Sequence, residues 1–394
     1  MLNLRVSRTR RFRSVYLANI FLALHYYIIL YVNSSYLGEF FGKELLSFLY
    51  ILGSALSLFL LLNAPLLLNK FGNYRLILAF SIAELFAVGG LALTKSPLAI
   101  AAFFTLHQAM IIMISWNLDI FLEANQRREN HTGEVRGVYL TAANIILVLS
   151  PSFAAFILNW GFNTLYFVSA LLILPLFFLA KYNLKTKNIS PNKNFSLAAA
   201  FNRFRKDKNI SSILFCALLL QFFYAGMVIY MPIYLQQFVG FSWAEIGALF
   251  TIMLLPFVLF ELPAGEIADK KLGEKEILFL GFGIIGLTTI LVSLTEDANF
   301  ILWAILLFMT RVGASFVEIT TESYFFKHVK AENADVISIF RITKPVAFIA
   351  APAIAALAFF LFGENKINYS YLFLVLGILM SFGLFFSLRI KDTR

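Results

Sequence analysis

The run SVYLANIFLALHYYIILYV, from Ser14 to Val32, holds no lysine, arginine, aspartate or glutamate, and comparable runs recur along the whole chain between short polar turns. An α-helix rises about 1.5 Å per residue, so about 20 apolar residues cross the roughly 30 Å hydrocarbon core of a bilayer. Inside that core each backbone N–H and C=O must be satisfied within its own segment, which leaves helices as the solution for runs of this length. The chain therefore reads as an all-α membrane protein. Spans are expected near 14–33, 45–68, 75–94, 97–122, 136–158 and 163–181, then near 210–238, 243–263, 275–294, 298–324, 335–360 and 369–388. These twelve transmembrane helices divide six and six. The expected organisation is an N-terminal six-helix bundle over 1–181, a linker over 182–209, and a C-terminal six-helix bundle over 210–394.

Composition closes off the soluble alternatives. Only 14% of residues are charged, against about 25% in a soluble domain. Forty-five phenylalanines exceed what a soluble core of this length can bury. The first apolar run follows a basic segment but is too long for the core of a signal peptide, so it is expected to remain as the first helix. The single cysteine, Cys216, lies within an apolar run and allows no intrachain disulfide. A net charge of +10 would point to nucleic acid in a soluble chain. Here the cations sit in turns between spans, and nucleic acid is not an expected partner.

Those cations orient the chain. Nearly all of the 32 lysines and arginines fall in the N-terminal tail, the even-numbered turns, the middle segment and the C-terminal tail. The opposite turns hold only Lys43, Lys95 and Lys366. Basic residues stay on the cytoplasmic side, so both termini and the linker are expected in the cytoplasm, in the plasma membrane of a prokaryotic cell. Within the linker, FSLAAAFNRFRKDK spaces Phe195, Phe201 and Phe204 among basic residues. A short helix lying on the inner leaflet and a solvated tether both fit that pattern.

The two halves echo each other. PSFAAF (151–156) matches PAIAAL (352–357), and Asp119 with Glu123 mirrors Glu318 with Glu322, each pair four residues apart. Two parallel six-helix repeats are a known plan for transporters. The turn ELPAGEIADKKLGEKE, between the eighth and ninth spans, sharpens the comparison. Its Gly265, Asp269, Lys270, Gly273 and Lys275 resemble the loop signature of the major facilitator superfamily. The matching first-half turn PLLLNKFGNYR keeps Lys70, Gly72 and Arg75 but has Pro65 for the glycine and Asn69 for the aspartate. The resemblance implies a pseudo-symmetric pair of bundles that work by alternating access. It further implies a gating role for Gly265, Asp269 and Lys270, with small residues easing close helix packing and carboxylates favouring helix N-termini.

In that family plan, spans 1, 4, 7 and 10 line a central cavity. They carry His25, His107, Gln221 with Tyr224, and Arg311, each roughly mid-span. Tyr26, Tyr27, Tyr31, Asn117 and Tyr230 lie close to them in sequence or on the same helices. Ionisable groups in mid-bilayer are costly and face a cavity or a partner, and a guanidinium cannot escape the cost by losing its proton. These five residues are the expected solute-binding set. Nearer the cytoplasm, Glu318 on span 10 shares a depth with Arg341 on span 11, with Lys344 one turn further up and Glu322 one turn below Glu318. An ion pair of Glu318 with Arg341 or Lys344 would serve either as a state-dependent tie or as a fixed structural contact. Glu84, mid-span in the third helix, is a candidate carrier of a coupled proton, the other reading being a neutral acid hydrogen-bonded to a neighbour.

No GxxxxGK[ST] loop is present, so nucleotide hydrolysis is not the expected energy source. No nucleophile elbow is visible. His25, His107, His131 and His328 are scattered in sequence, and neither a metal nor a cofactor is expected. The expected activity is secondary active transport of a small organic solute, with H+ as a candidate coupling ion, by a monomer. A non-transporting receptor or scaffold on the same fold, and a lipid or drug exporter, remain as alternatives.

Overall fold

The computed structural model describes residues 10–125, 132–185, 207–268, 272–328, 334–363 and 365–391. All regular structure among the described residues is helical. In chain order the elements are α1 (Arg10–Leu30), α2 (Asn33–Gly38), α3 (Lys43–Phe71), α4 (Asn73–Leu93), α5 (Pro97–Asn125), α6 (Thr132–Leu158) and α7 (Phe162–Asn183). The second half holds α8 (Lys208–Tyr234), α9 (Trp243–Leu259), α10 (Glu261–Ile267), α11 (Glu274–Ser293), α12 (Phe300–His328), α13 (Ala334–Phe362) and α14 (Lys366–Arg389). Twelve spans are long and apolar enough to cross a membrane, one for each run expected from the sequence. Many of their large apolar side chains face outward, Phe59, Phe86, Phe156 and Phe360 among them, as a lipid-facing surface requires.

Two departures from unbroken spans have local causes. The eighth span is two helices, α9 and α10, meeting at Phe260. Pro263 has no N–H to offer the carbonyl of Leu259 four residues back, and proline is tolerated in the first turn of a new helix. At the end of α8, residues Leu235–Val239 widen into a π-helical turn that Gly240 closes with a φ of 90°, a backbone region that favours glycine.

The chain packs as two compact units, Met1–Leu30 with Leu52–Phe195, and Tyr31–Ile51 with Ser196–Arg394. In the first, α1 packs on α5, α6 and α7, and α4 packs between α5 and α7. In the second, α8 contacts α12, α13 and α14, and α11 lies against α12 and α14. The short α2 belongs to this second unit, against α8. Ser47 reinforces that attachment through a 2.7 Å hydrogen bond with the Tyr230 hydroxyl, and Tyr31 packs its ring against Phe250.

Helix crossings in the second unit depend on missing side chains. A Cβ on Gly281 would lie 2.9 Å from the Gly313 carbonyl, and one on Gly313 would lie 2.6 Å from the Gly281 carbonyl. The α11–α12 crossing is therefore backbone on backbone, the arrangement small residues permit in membranes.

Candidate functional site

A cluster of ionisable side chains lies buried in each unit. In the first, α1, α4 and α5 bring His25, Glu84 and His107 together, all with no exposed surface. His25 Nε2 lies 2.7 Å from Glu84 Oε1. His107 Nδ1 lies 2.5 Å from the same oxygen. The two imidazoles meet edge to face at 6.2 Å between centroids, with Tyr26 and Phe104 against His107.

Hydrogen-bond chemistry fixes much of the proton inventory. The other nitrogen of His25, Nδ1, faces the Ser169 carbonyl of α7 at 2.8 Å. A carbonyl only accepts, so Nδ1 carries a hydrogen. Ser169 Oγ donates to the His25 carbonyl at 2.7 Å, which clamps α1 to α7 at this level. With Nδ1 protonated, the short Nε2–Oε1 contact needs a further proton, held either by the imidazolium or by the carboxylic acid. Bare Nε2 and bare carboxylate would place lone pair against lone pair. The contact at His107 Nδ1 needs one as well. Among the described residues Glu84 Oε2 and His107 Nε2 have no hydrogen-bond partner, so the cluster has unused capacity on two atoms.

In the second unit, α12 carries Arg311, 1% exposed. Its guanidinium lies over the rings of Phe223 at 4.9 Å and Tyr224 at 5.5 Å, both on α8. Nε, Nη1 and Nη2 all lack a hydrogen-bond partner. The planar group is thus held by its faces, with its N–H edge unused among the described residues. Tyr224 also donates its hydroxyl to Glu318 Oε2 at 2.5 Å. One side chain therefore touches both the buried cation and a carboxylate two turns along α12.

The remaining expected residues fall around these centres. Gln221 is half-buried on α8, one turn before Tyr224. Arg341 Nη1 donates to Glu322 Oε1 at 3.0 Å, a pair that is 33% and 22% exposed. This cation–carboxylate contact between α12 and α13 is thus made one turn from Glu318, which accepts from the Tyr224 hydroxyl. Lys344 lies over the Phe348 ring at 6.0 Å. Gly265 sits where an added Cβ would come 3.2 Å from Ile319 of α12, beside the buried cluster of Ala264, Ala268 and Ile277. Asp269 and Lys270 lie outside the described residues, as do residues 186–206 of the expected linker.

The structure regroups the sequence-derived set. His25 and His107, expected beside Arg311 in a solute site, are bonded to Glu84 within the first unit. Glu84, singled out in the third span without assigned partners, is the group that joins them. Ser169 was not anticipated, and neither was Asn19, whose amide donates to the Tyr139 carbonyl at 2.9 Å. A lone serine or asparagine in an apolar span is a weak signal, because such residues often bond within their own helix. Asn117 is fully buried, with neither amide atom partnered. Tyr230 is taken up by Ser47 and by an aromatic cluster with Phe359 and Tyr369.

The sequence matches the family model described as Major Facilitator Superfamily over residues 124–248 and 239–394, more than half of its length. This chain belongs to that superfamily. It is accordingly an integral, multi-pass membrane transporter with a small-molecule substrate, from a family of carriers rather than enzymes. Among curated proteins no relative matches. Among solved structures the fold is similar to that of a substituted form of the nucleoside transporter NupG, with a TM-score of 0.78 at 13% identity. That match covers 97% of this chain and all of the other. A second NupG structure gives 0.74 at 11% identity, again over 97% of this chain and all of the other. At such identity the likeness speaks for the twelve-helix fold of this superfamily.

Proposed function

We propose that the chain is a secondary active transporter, working by alternating access, for a small organic solute that carries an oxyanion or a comparably oxygen-rich group. Arg311 is the proposed partner of that group. The observation behind this reading is a permanently charged side chain, 1% exposed, whose three nitrogens have no hydrogen-bond partner. Burying an unpaired charge costs several kcal/mol, and that cost persists where a binding role requires it. Stacking on Phe223 and Tyr224 leaves the N–H edge to form the paired, in-plane hydrogen bonds that guanidinium makes to carboxylate or phosphate. Tyr224 then gives solute binding a route to Glu318, with Gln221 adding a polar contact one turn away.

The same proposal assigns the coupled proton to Glu84, shared with His25 and His107. Three buried titratable groups on three helices can gain or lose a proton without any side chain reaching water. The gating residues are Gly265, Asp269 and Lys270, with the Glu318, Glu322, Arg341 and Lys344 group changing partners between states. Both termini are assigned to the cytoplasm from the distribution of cations, and the working unit is assigned as a monomer.

Uptake into proteoliposomes tests this. A first screen compares carboxylates, phosphate esters and nucleosides, the last because the structural neighbours are nucleoside transporters. The expected hit is an anionic solute whose uptake falls at least tenfold in Arg311→Ala and rises with an inward proton gradient. Unchanged uptake in Arg311→Ala would remove Arg311 from the site. Uptake indifferent to the gradient would remove Glu84 from coupling.

A further inference from the structure

We infer that His25, Glu84 and His107 form a binding site for a divalent transition cation of the Zn2+ type. Spacing alone offers no reason to expect a metal, since the three residues are 59 and 23 positions apart. Folding brings one ligand atom from each to within 4.8 Å of the others. Two imidazoles and a carboxylate are the donor set that holds Zn2+ in open, three-ligand sites. Imidazole nitrogen also favours the later first-row divalent ions over Mg2+ or Ca2+.

Three further observations point the same way. His25 Nδ1–H is already committed to the Ser169 carbonyl at 2.8 Å, which fixes the tautomer that leaves Nε2 as the ligand atom. Metal-bound histidines are almost always anchored in this way, through the ring nitrogen that does not bind the metal. Glu84 keeps Oε2 without a partner, so its carboxylate has an oxygen to give a metal. His107 Nε2 is likewise unpartnered and fully buried. A proton moved there from Nδ1 gives up the hydrogen bond to Glu84 Oε1, which the ion replaces.

Present distances are those of hydrogen bonds. Zn–N and Zn–O bonds of about 2.0–2.2 Å place tetrahedral ligand atoms roughly 3.3 Å apart, against the 2.5 and 2.7 Å separations here. The ring nitrogens must part from Oε1 by several tenths of an ångström as the ion replaces the protons between them. The exchange balances. The fewest protons that satisfy the contacts are three, on His25 Nδ1, between Nε2 and Oε1, and on His107 Nδ1. With the ion bound, two remain, on His25 Nδ1 and His107 Nε2. One proton leaves per ion bound, and the cluster gains a single net positive charge. That is the charge it would also carry with both rings doubly protonated.

The titration needs no transported solute, so it stands or falls apart from the Arg311 proposal. The probe is Co2+, followed by Zn2+ competition, on purified full-length protein without an affinity tag and with His131 and His328 replaced by Gln. The expected result is one Co2+ per chain with the visible absorption of a four- or five-coordinate site. Zn2+ should displace it, and calorimetry in buffers of different ionisation enthalpy should show release of about one proton. His25→Ala and His107→Ala should abolish the absorption. Glu84→Gln, which keeps the shape of the side chain if Glu84→Ala does not fold, should weaken Co2+ binding at least tenfold. Folded protein that shows no such absorption, or Co2+ binding unchanged in Glu84→Gln, would overturn the site.

Discussion

The two buried centres solve the same physical problem in opposite ways. In the first unit, Glu84 is met by His25 and His107 at 2.7 and 2.5 Å. Charge there is balanced within the protein, and protons can be redistributed among three groups without a net cost in burial. In the second unit, Arg311 has aromatic faces for company and no hydrogen-bond partner on any nitrogen. Two halves that echo each other in sequence have thus diverged into a centre whose charges meet one another and one whose charge meets only aromatic rings. The difference separates a place suited to holding protons from a place suited to receiving a solute.

That contrast can be broken by substitution, and the largest effect is expected in the self-balanced centre. Glu84→Ala leaves two imidazoles facing an unpaired gap. Removing one member of a buried pair costs about 3–5 kcal/mol, so thermal unfolding in detergent should shift down by several degrees. Glu84→Gln should recover most of that loss while leaving uptake uncoupled from the proton gradient. A Glu84→Ala protein as stable as the parent would mean that the cluster is not paired as described.

The incomplete centre should behave in reverse. Arg311→Ala should weaken solute binding by about 1.5–3 kcal/mol, the range for a hydrogen bond to a charged group, read as a ten- to hundredfold rise in Kd. Arg311→Lys should recover only part of it, because the ammonium keeps the charge but loses the planar fork. Arg311→Met should stabilise the unliganded protein by about 1–3 kcal/mol, because it removes unpaired buried donors. The smallest effect belongs to the partly exposed Arg341–Glu322 pair. Arg341→Gln should cost no more than about 1 kcal/mol in stability, and any larger change should appear in transport rate.

How much of this could be read from the chain alone varied with the physics. The twelve spans were legible because bilayer thickness sets a length that apolar runs either meet or miss. The break at Phe260 was legible in principle from Pro263, although the run itself was read as one span. Partner choice was not. Helices such as α4 are apolar on nearly every side, so periodicity does not say which face turns inward. Glu84 could therefore be placed mid-span but not matched with His25 and His107. The Arg341 contact shows the same limit on a finer scale. Depth counting placed it level with Glu318, and side-chain reach gave it to Glu322 one turn along. Arg311 was the easiest to single out, since an always-charged group in an apolar span has few innocent explanations.

The central claim is that Arg311 is left unpaired inside the protein because a solute completes it. The most direct measurement is thermal stability of the parent and of Arg311→Met, each with and without the best anionic solute from the uptake screen. The account predicts a higher midpoint for unliganded Arg311→Met than for the unliganded parent, and a ligand-induced rise in the parent alone. Equal ligand-induced shifts in both proteins would contradict it.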